Sequence, residues 1–219
     1  MQQSFSHTDI IEGIKEHLLP CFHDLNEFDI LFADDKLQSE MLDEIAPNFF
    51  WAINKLYFDK FMLSISRLLD PSKQSGFENL SMFKLIDIAK ETQYPKLDEL
   101  TAKIEGLKVK SADILKLRSK FIAHRDLNHS IKNDLVVGPI EFDSIKETFW
   151  TMAKSVNEIE IFLGMEDTSF AWFRDFYGVT ALLKHLKDSL IYRDILISSD
   201  NWNTIEMEAQ KSKFYNLKV

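Results

Sequence analysis

The stretch FFWAINKLYFDKFMLSISRLL, Phe49 to Leu69, decides the fold class. Phe49, Phe50, Trp51, Ile53, Leu56, Tyr57, Phe58, Phe61, Met62, Ile65, Leu68 and Leu69 recur at helical steps and cover most of the circumference of a helix. A helix apolar nearly all round belongs at the centre of a bundle or in an oligomer interface. Upstream the helix is expected to begin near Leu37, and downstream Asp70-Pro71 ends it, because the residue before proline disfavours the α region. The polar stretch Ser72 to Phe77, containing Gly76, is expected as a loop.

The same periodicity extends outward in both directions. Ile10, Ile11, Ile14, Leu18, Phe22, Leu25, Phe28 and Phe32 predict a first helix from Thr8, its expected N-cap, to about Ala33, bent or split by Pro20. Asn79 is expected to cap a short helix from Leu80 to about Thr92. One long helix or two follow from Lys96 to about Leu127, with Gly106 as the expected weak point. Asn128 to Pro139 reads as a loop in which Leu135-Val136-Val137 could be extended. Ile145, Phe149, Trp150, Met152, Ala153, Val156, Ile159 and Phe162 mark the apolar stripe of a helix from Glu141 to Leu163 with Gly164 as its stop. A last helix is expected from Thr168 to Leu190, with Trp172, Phe173 and Phe176 in the core. Residues 1–195 are thus expected to form one domain and 196–219 a peripheral helix or tail.

Composition agrees. The 219 residues hold only 6 Gly and 5 Pro but 18 Phe. So few turn-formers argue against a many-stranded sandwich or barrel and for an all-α bundle of five to seven helices. With 45% hydrophobic and 28% charged residues, wholesale disorder is excluded. The single cysteine, Cys21, makes no internal disulfide and no Cys/His zinc framework, so no metal and no cofactor are expected. The N-terminal residues carry no basic and apolar signal pattern, and no 18-residue apolar run occurs, so the chain is expected to be cytoplasmic and without a membrane partner.

The net charge of −9 gives no general attraction to nucleic acid. The cations are unevenly placed, however. From Lys96 to Arg125 stand Lys96, Lys103, Lys108, Lys110, Lys116, Arg118, Lys120 and Arg125 against Asp98, Glu99, Glu105 and Asp113, a local +4 that leaves −13 for the rest. This is the candidate phosphate-facing surface. Within it lies LRSKFIAHRD, Leu117 to Asp126, where Arg118 and His124 have five residues between them. An arginine holding a phosphate beside a histidine able to trade protons is what metal-free phosphodiester cleavage needs. On an ideal helix the two lie about 120° apart. A joint site therefore needs a helix break near Ala123 or a second copy of the helix from another subunit.

LRSKFIAHRD resembles the signature of the HEPN superfamily, all-α domains marked by an arginine, four to six residues and a histidine. SRLLDP, Ser66 to Pro71, and ENLSMFKLI, Glu78 to Ile86, resemble the matching segments of its abortive-infection, U-type branch from phage defence. The resemblance covers about Phe49 to Leu163. It implies a metal-independent endoribonuclease of phage-defence or toxin–antitoxin type, with RNA as substrate and a composite site at a homodimer cleft. His124 would be the general acid or base and Arg118 the phosphate binder. Ser119 stands where relatives more often carry Asn or Asp. Arg125 could add a phosphate contact, and Asp126 could orient His124 or cap the broken helix. An antitoxin or a nucleotidyltransferase is the implied protein partner. The alternative is a catalytically silent module that binds a nucleotide or a partner. Among bystanders, His129 could substitute in proton transfer, and Arg67 and Asp70 are expected to form an i,i+3 pair or to anchor the helix end.

Overall fold

The computed structural model describes residues 5–118, 140–170 and 178–198. Eight helices and one two-stranded ladder occur among them: α1 (His7–Leu31), α2 (Lys36–Ile45), α3 (Pro47–Leu68), β1 (Lys73–Gln74), β2 (Phe77–Glu78), α4 (Phe83–Glu91), α5 (Leu97–Lys110), α6 (Ala112–Leu117), α7 (Phe142–Phe162) and α8 (Val179–Ser198). The all-α expectation holds, with more helices than the five to seven expected because two of the long stretches are broken. The chain forms two compact units, one of Met1–Asp29 with Asn48–Phe173 and one of Ile30–Pro47 with Arg174–Val219.

Helix ends follow from local chemistry. The first helix is capped by Ser6 and not by Thr8: Asp9 N–H donates to Ser6 Oγ at 3.1 Å while Ser6 N–H donates to the Asp9 carboxylate at 2.9 Å, a reciprocal capping box. The Ser6 hydroxyl, donating to the Asp9 carboxylate at 2.7 Å, and the Ser6 N–H hold the Asp9 carboxyl below its usual range. Pro20 does not split α1. Pro20 and Glu16 are both exposed, so water can reach the Glu16 carbonyl that loses its partner. The stretch expected as one helix from Leu37 breaks at Ala46, which is forced out of helical conformation by Pro47 behind it, and Pro47 then starts α3. Similarly, the weak point of the 96–117 stretch is the buried Ser111 and not Gly106, which stays inside α5.

Ser72 to Phe77 is a hairpin where a loop was expected. Ser75 (φ 51) and Gly76 (φ 86) make the two-residue turn, with Lys73 opposite Glu78 and Gln74 opposite Phe77. Asn79 closes the base of this hairpin, donating from Nδ2 to the Pro71 carbonyl at 2.9 Å, and does not cap a helix. The next helix begins only at Phe83.

In the first unit, α1, α3, α4, α5 and α7 turn apolar stripes inward. Ile11, Ile14, Leu18, Phe61, Ile65, Leu85, Ile104, Phe149, Met152 and Val156 are fully or almost fully buried. Each buried Phe of this kind is worth about 2–3 kcal/mol. Phe61 meets Phe28, Phe142 and Phe149 with ring centroids at 6.0, 6.0 and 6.2 Å. Of the aromatic-rich start of α3, Phe50 is buried while Phe49, Trp51 and Leu56 are exposed. The end of α7 is a Schellman motif: Met165 N–H donates to Glu160 O and Gly164 N–H to Ile161 O, with Gly164 at φ 71. No atom lies within 4 Å of a Cβ added there, so Gly164→Ala meets only backbone strain. A loss of about 1 kcal/mol in urea unfolding is expected.

In the second unit, Asp35 caps α2 by accepting from Gln38 N–H at 3.1 Å, and Gln38 Nε2 donates to the Ile30 and Leu31 carbonyls. Arg193 on α8 is paired with Glu44 on α2. The helix expected from Thr168 starts after Gly178 instead. Residues 199–219, expected as a helix or tail, lie outside the described residues, as do Trp172, Phe173, Phe176 and the 128–139 loop. Among the described residues no helix is long and apolar enough to cross a membrane.

Candidate active site

Two helices lead to the Arg/His motif. Leu100, Ile104 and Leu107 of α5 and Ile114 of α6 are buried, which fixes the roll of both helices. At Ser111 the direction changes: its N–H still reaches the Leu107 carbonyl at 2.9 Å, and Leu115 N–H donates to Ser111 O at 3.0 Å. Arg118 closes α6 with helical dihedrals (φ −54, ψ −49). The motif arginine therefore follows directly on a short, well-seated helix.

Arg118 is half-buried, and its Nε is buried without a hydrogen-bond partner. The acid closest in sequence, Asp113, is engaged by Lys116 at 3.3 Å. Pairing of Arg118 with Asp113, the ordinary surface outcome, is not observed. A guanidinium N–H left without an acceptor costs about 1–3 kcal/mol, and an anionic oxygen would recover it. Ser119, His124, Arg125 and Asp126, together with His129, lie outside the described residues.

The basic stretch looks different in three dimensions. Lys103 pairs with Glu158 at 2.5 Å, and Lys110 pairs with Glu147, both acids on α7. Lys108 lies over the Phe83 ring at 5.2 Å. Much of the local +4 is thus met by carboxylates distant in sequence. Arg118 stands out as a cation whose donor is not spent. Of the two outcomes expected for Arg67 and Asp70, the ion pair is not formed, and a backbone bond, Asp70 N–H to Arg67 O at 3.3 Å, closes the helix end.

Two polar clusters were not singled out from the sequence. Glu160, fully buried, accepts from Lys15 at 2.8 Å and from Thr168 N–H and Oγ1 at 3.2 and 3.1 Å. Its signal was legible, since a glutamate four residues after Val156 falls on the core stripe of α7. The second cluster lies between α1 and α3. Asp24 pairs with Lys60 at 2.5 Å and Tyr57 donates to Glu27 at 3.0 Å. Burial and the Glu27 carboxylate push the Tyr57 phenol up, so it stays protonated. His23, Asp24 and Glu27 have ligand-type atoms within 4.8 Å of one another. Lys60 pairs with Asp24 and Tyr57 bonds Glu27, so each carboxylate has a protein partner, while Asp24 Oδ2 is buried without a hydrogen bond of its own. Nearby, burial pushes the Cys21 thiol up, which leaves it a protonated core side chain donating to the His17 carbonyl and no nucleophile.

No curated protein and no solved structure matches the chain. The AbiU2 family of HEPN domains does match, over residues 15–172, a span that takes in most of α1, SRLLDP, and the whole Arg118 to His124 motif. This is wider than the Phe49 to Leu163 resemblance and makes α1 part of the domain. With the all-α fold and the Arg118-bearing α6 inside a match of more than two thirds of its length, the chain belongs to the AbiU2 family of HEPN domains, the abortive-infection type.

Proposed function

We propose that this protein is a metal-independent endoribonuclease acting in phage defence or as a toxin, with Arg118 and His124 from two copies forming one site. The observation that carries the reading is Arg118: a buried Nε with no acceptor, directly after α6 and inside the family match, while the neighbouring acid is taken by Lys116. In the reaction, His124 takes the proton of an RNA 2′-hydroxyl as that oxygen attacks the adjacent phosphate. The phosphorus–O5′ bond breaks, the leaving O5′ takes up a proton, and a 2′,3′-cyclic phosphate remains. Arg118 holds the phosphate and balances the charge that develops on it. Ser119, Arg125 and Asp126 are the supporting residues, for a polar contact, a further phosphate contact and the orientation of His124.

A second copy supplies the missing geometry, because two residues about 120° apart on one ideal helix do not face one phosphate. The exposed Phe49, Trp51 and Leu56 of α3 offer apolar area for such a pairing. The test is direct. Purified protein in excess EDTA is expected to cleave RNA into fragments ending in cyclic phosphate, and His124→Ala is expected to be inactive with its helical circular dichroism unchanged. Cleavage that requires added divalent metal would refute the mechanism.

A second reading is favoured by one observation. Lys103, Lys110 and Lys116 are already paired with acids, which weakens the basic surface that RNA would meet. A catalytically silent module that binds a nucleotide, or a partner such as an antitoxin or a nucleotidyltransferase, fits that neutralised face. Growth arrest on expression, lost in both Arg118→Ala and His124→Ala, favours the nuclease. Growth that is indifferent to both variants favours the silent module.

A further inference from the structure

We propose that the groove between the start of α1, the β1–β2 hairpin and α4 docks a basic, apolar-anchored segment of a partner protein. The cavity is about 820 Å³, and every described lining residue belongs to the first unit. None of its residues lies in Leu117 to Asp126, so the proposal stands apart from the nuclease reading.

Its charge is one-sided. Asp9, Glu78, Asp87 and Glu91 line it, against Lys84 and His7. Lys84 is spent on Glu78 at 2.8 Å, and His7 is bonded to Glu91 at 2.8 Å. The Asp9 carboxylate is used only in capping α1, and half-buried Asp87 makes no ion pair among the described residues. Four carboxylates thus face one ammonium and one imidazole. Such a groove repels RNA, DNA and anionic membrane surfaces and attracts a cationic segment.

Its apolar part is exposed. Phe77 is 76% and Phe5 66% exposed. Phe77 follows directly on the tight Ser75-Gly76 turn, so the hairpin fixes where it projects. Leu80 is seated against Gly13, where an added Cβ would come within 2.8 Å of its Cδ2. Rigid apolar anchors ringed by carboxylates suit lysine or arginine side chains alternating with leucine or phenylalanine on one helical face. A small inorganic cation would leave Phe5, Phe77 and Leu80 without a role.

The experiment measures fluorescence anisotropy of a labelled amphipathic lysine/leucine peptide, about twelve residues long, against the full chain. Binding is expected, weakened at least about tenfold in Glu78→Lys/Glu91→Lys and about fivefold in Phe77→Ser. It is expected to be unchanged in Glu99→Lys/Glu105→Lys, which alters net charge equally on α5. The exposed positions chosen leave the core intact, and circular dichroism checks this. The proposal is overturned by no binding up to about 1 mM peptide, a weak affinity near −4 kcal/mol, by equal weakening in the α5 control, or by an all-lysine peptide of the same charge binding as tightly.

Discussion

Replacing His124 by alanine is expected to slow metal-free RNA cleavage by about 10²–10⁴-fold, the usual contribution of a positioned acid–base group. Arg118→Ala is expected to lose a comparable factor, because electrostatic stabilisation of the phosphate is lost together with its positioning. Arg118→Lys should recover little: lysine is a point charge on a flexible stem and lacks the planar fork that meets two phosphate oxygens. If the two residues act on one phosphate, the double variant should be hardly slower than either single one, as for groups that work as a unit. Single-turnover rates in EDTA measure all four variants, and thermal melting verifies that each is folded. Wild-type rates in His124→Ala would remove the assignment. Full additivity of the two losses would instead separate the two residues into different sites.

Glu160→Ala is expected to destabilise the first unit by about 3–5 kcal/mol, the range for removing one partner of a buried ion pair. The fully buried carboxylate satisfies Lys15, the Thr168 N–H and the Thr168 hydroxyl at once, and alanine leaves all three without it. The double variant Lys15→Met/Glu160→Leu removes the ammonium, which in Glu160→Ala keeps only the half-exposed Glu12, and should recover part of the loss, keeping a cost of about 1–3 kcal/mol for the Thr168 donors. Urea unfolding distinguishes the two. A double variant no better than Glu160→Ala would show that the cluster acts through Thr168 alone.

The same cluster has a pH signature. Burial opposes the charge on Lys15, and the hydrogen bonds and charges of Glu12 and Glu160 outweigh it and raise its pKa above the ordinary lysine value. A raised folded-state value means that the pairing contributes fully below the unfolded pKa and is lost as pH rises through the folded one. Stability is therefore expected to fall on the alkaline side, above about pH 10.4, and this fall should be smaller in Lys15→Met.

Helix ends with local chemistry were legible along the chain. Asp70-Pro71 and Gly164 stop their helices as expected, since both act through the backbone of one or two residues. Ends where two local signals compete were misplaced. Thr8 and Ser6 are both acceptable caps, and the reciprocal partner Asp9 decides for Ser6. Gly106 and Ser111 both weaken a helix, and the buried serine marks the break. Asn79 reads as a cap because the hairpin that claims its amide depends on Pro71, eight residues earlier.

The sequence alone determined an all-helical chain, one cysteine without a disulfide partner and an ordered set of motifs that places it in its family, because each depends on residue type and short-range spacing. Tertiary structure decided which charges remain available. Lys103 and Lys110 look like part of a +4 surface until Glu158 and Glu147, 55 and 37 residues away, are folded onto them. Arg118 looks like one cation among several until its Nε is found buried and unmatched. Charge summed along a chain ignores distance, whereas the interaction of two charges depends on their separation and on the solvent between them, and only the fold sets those.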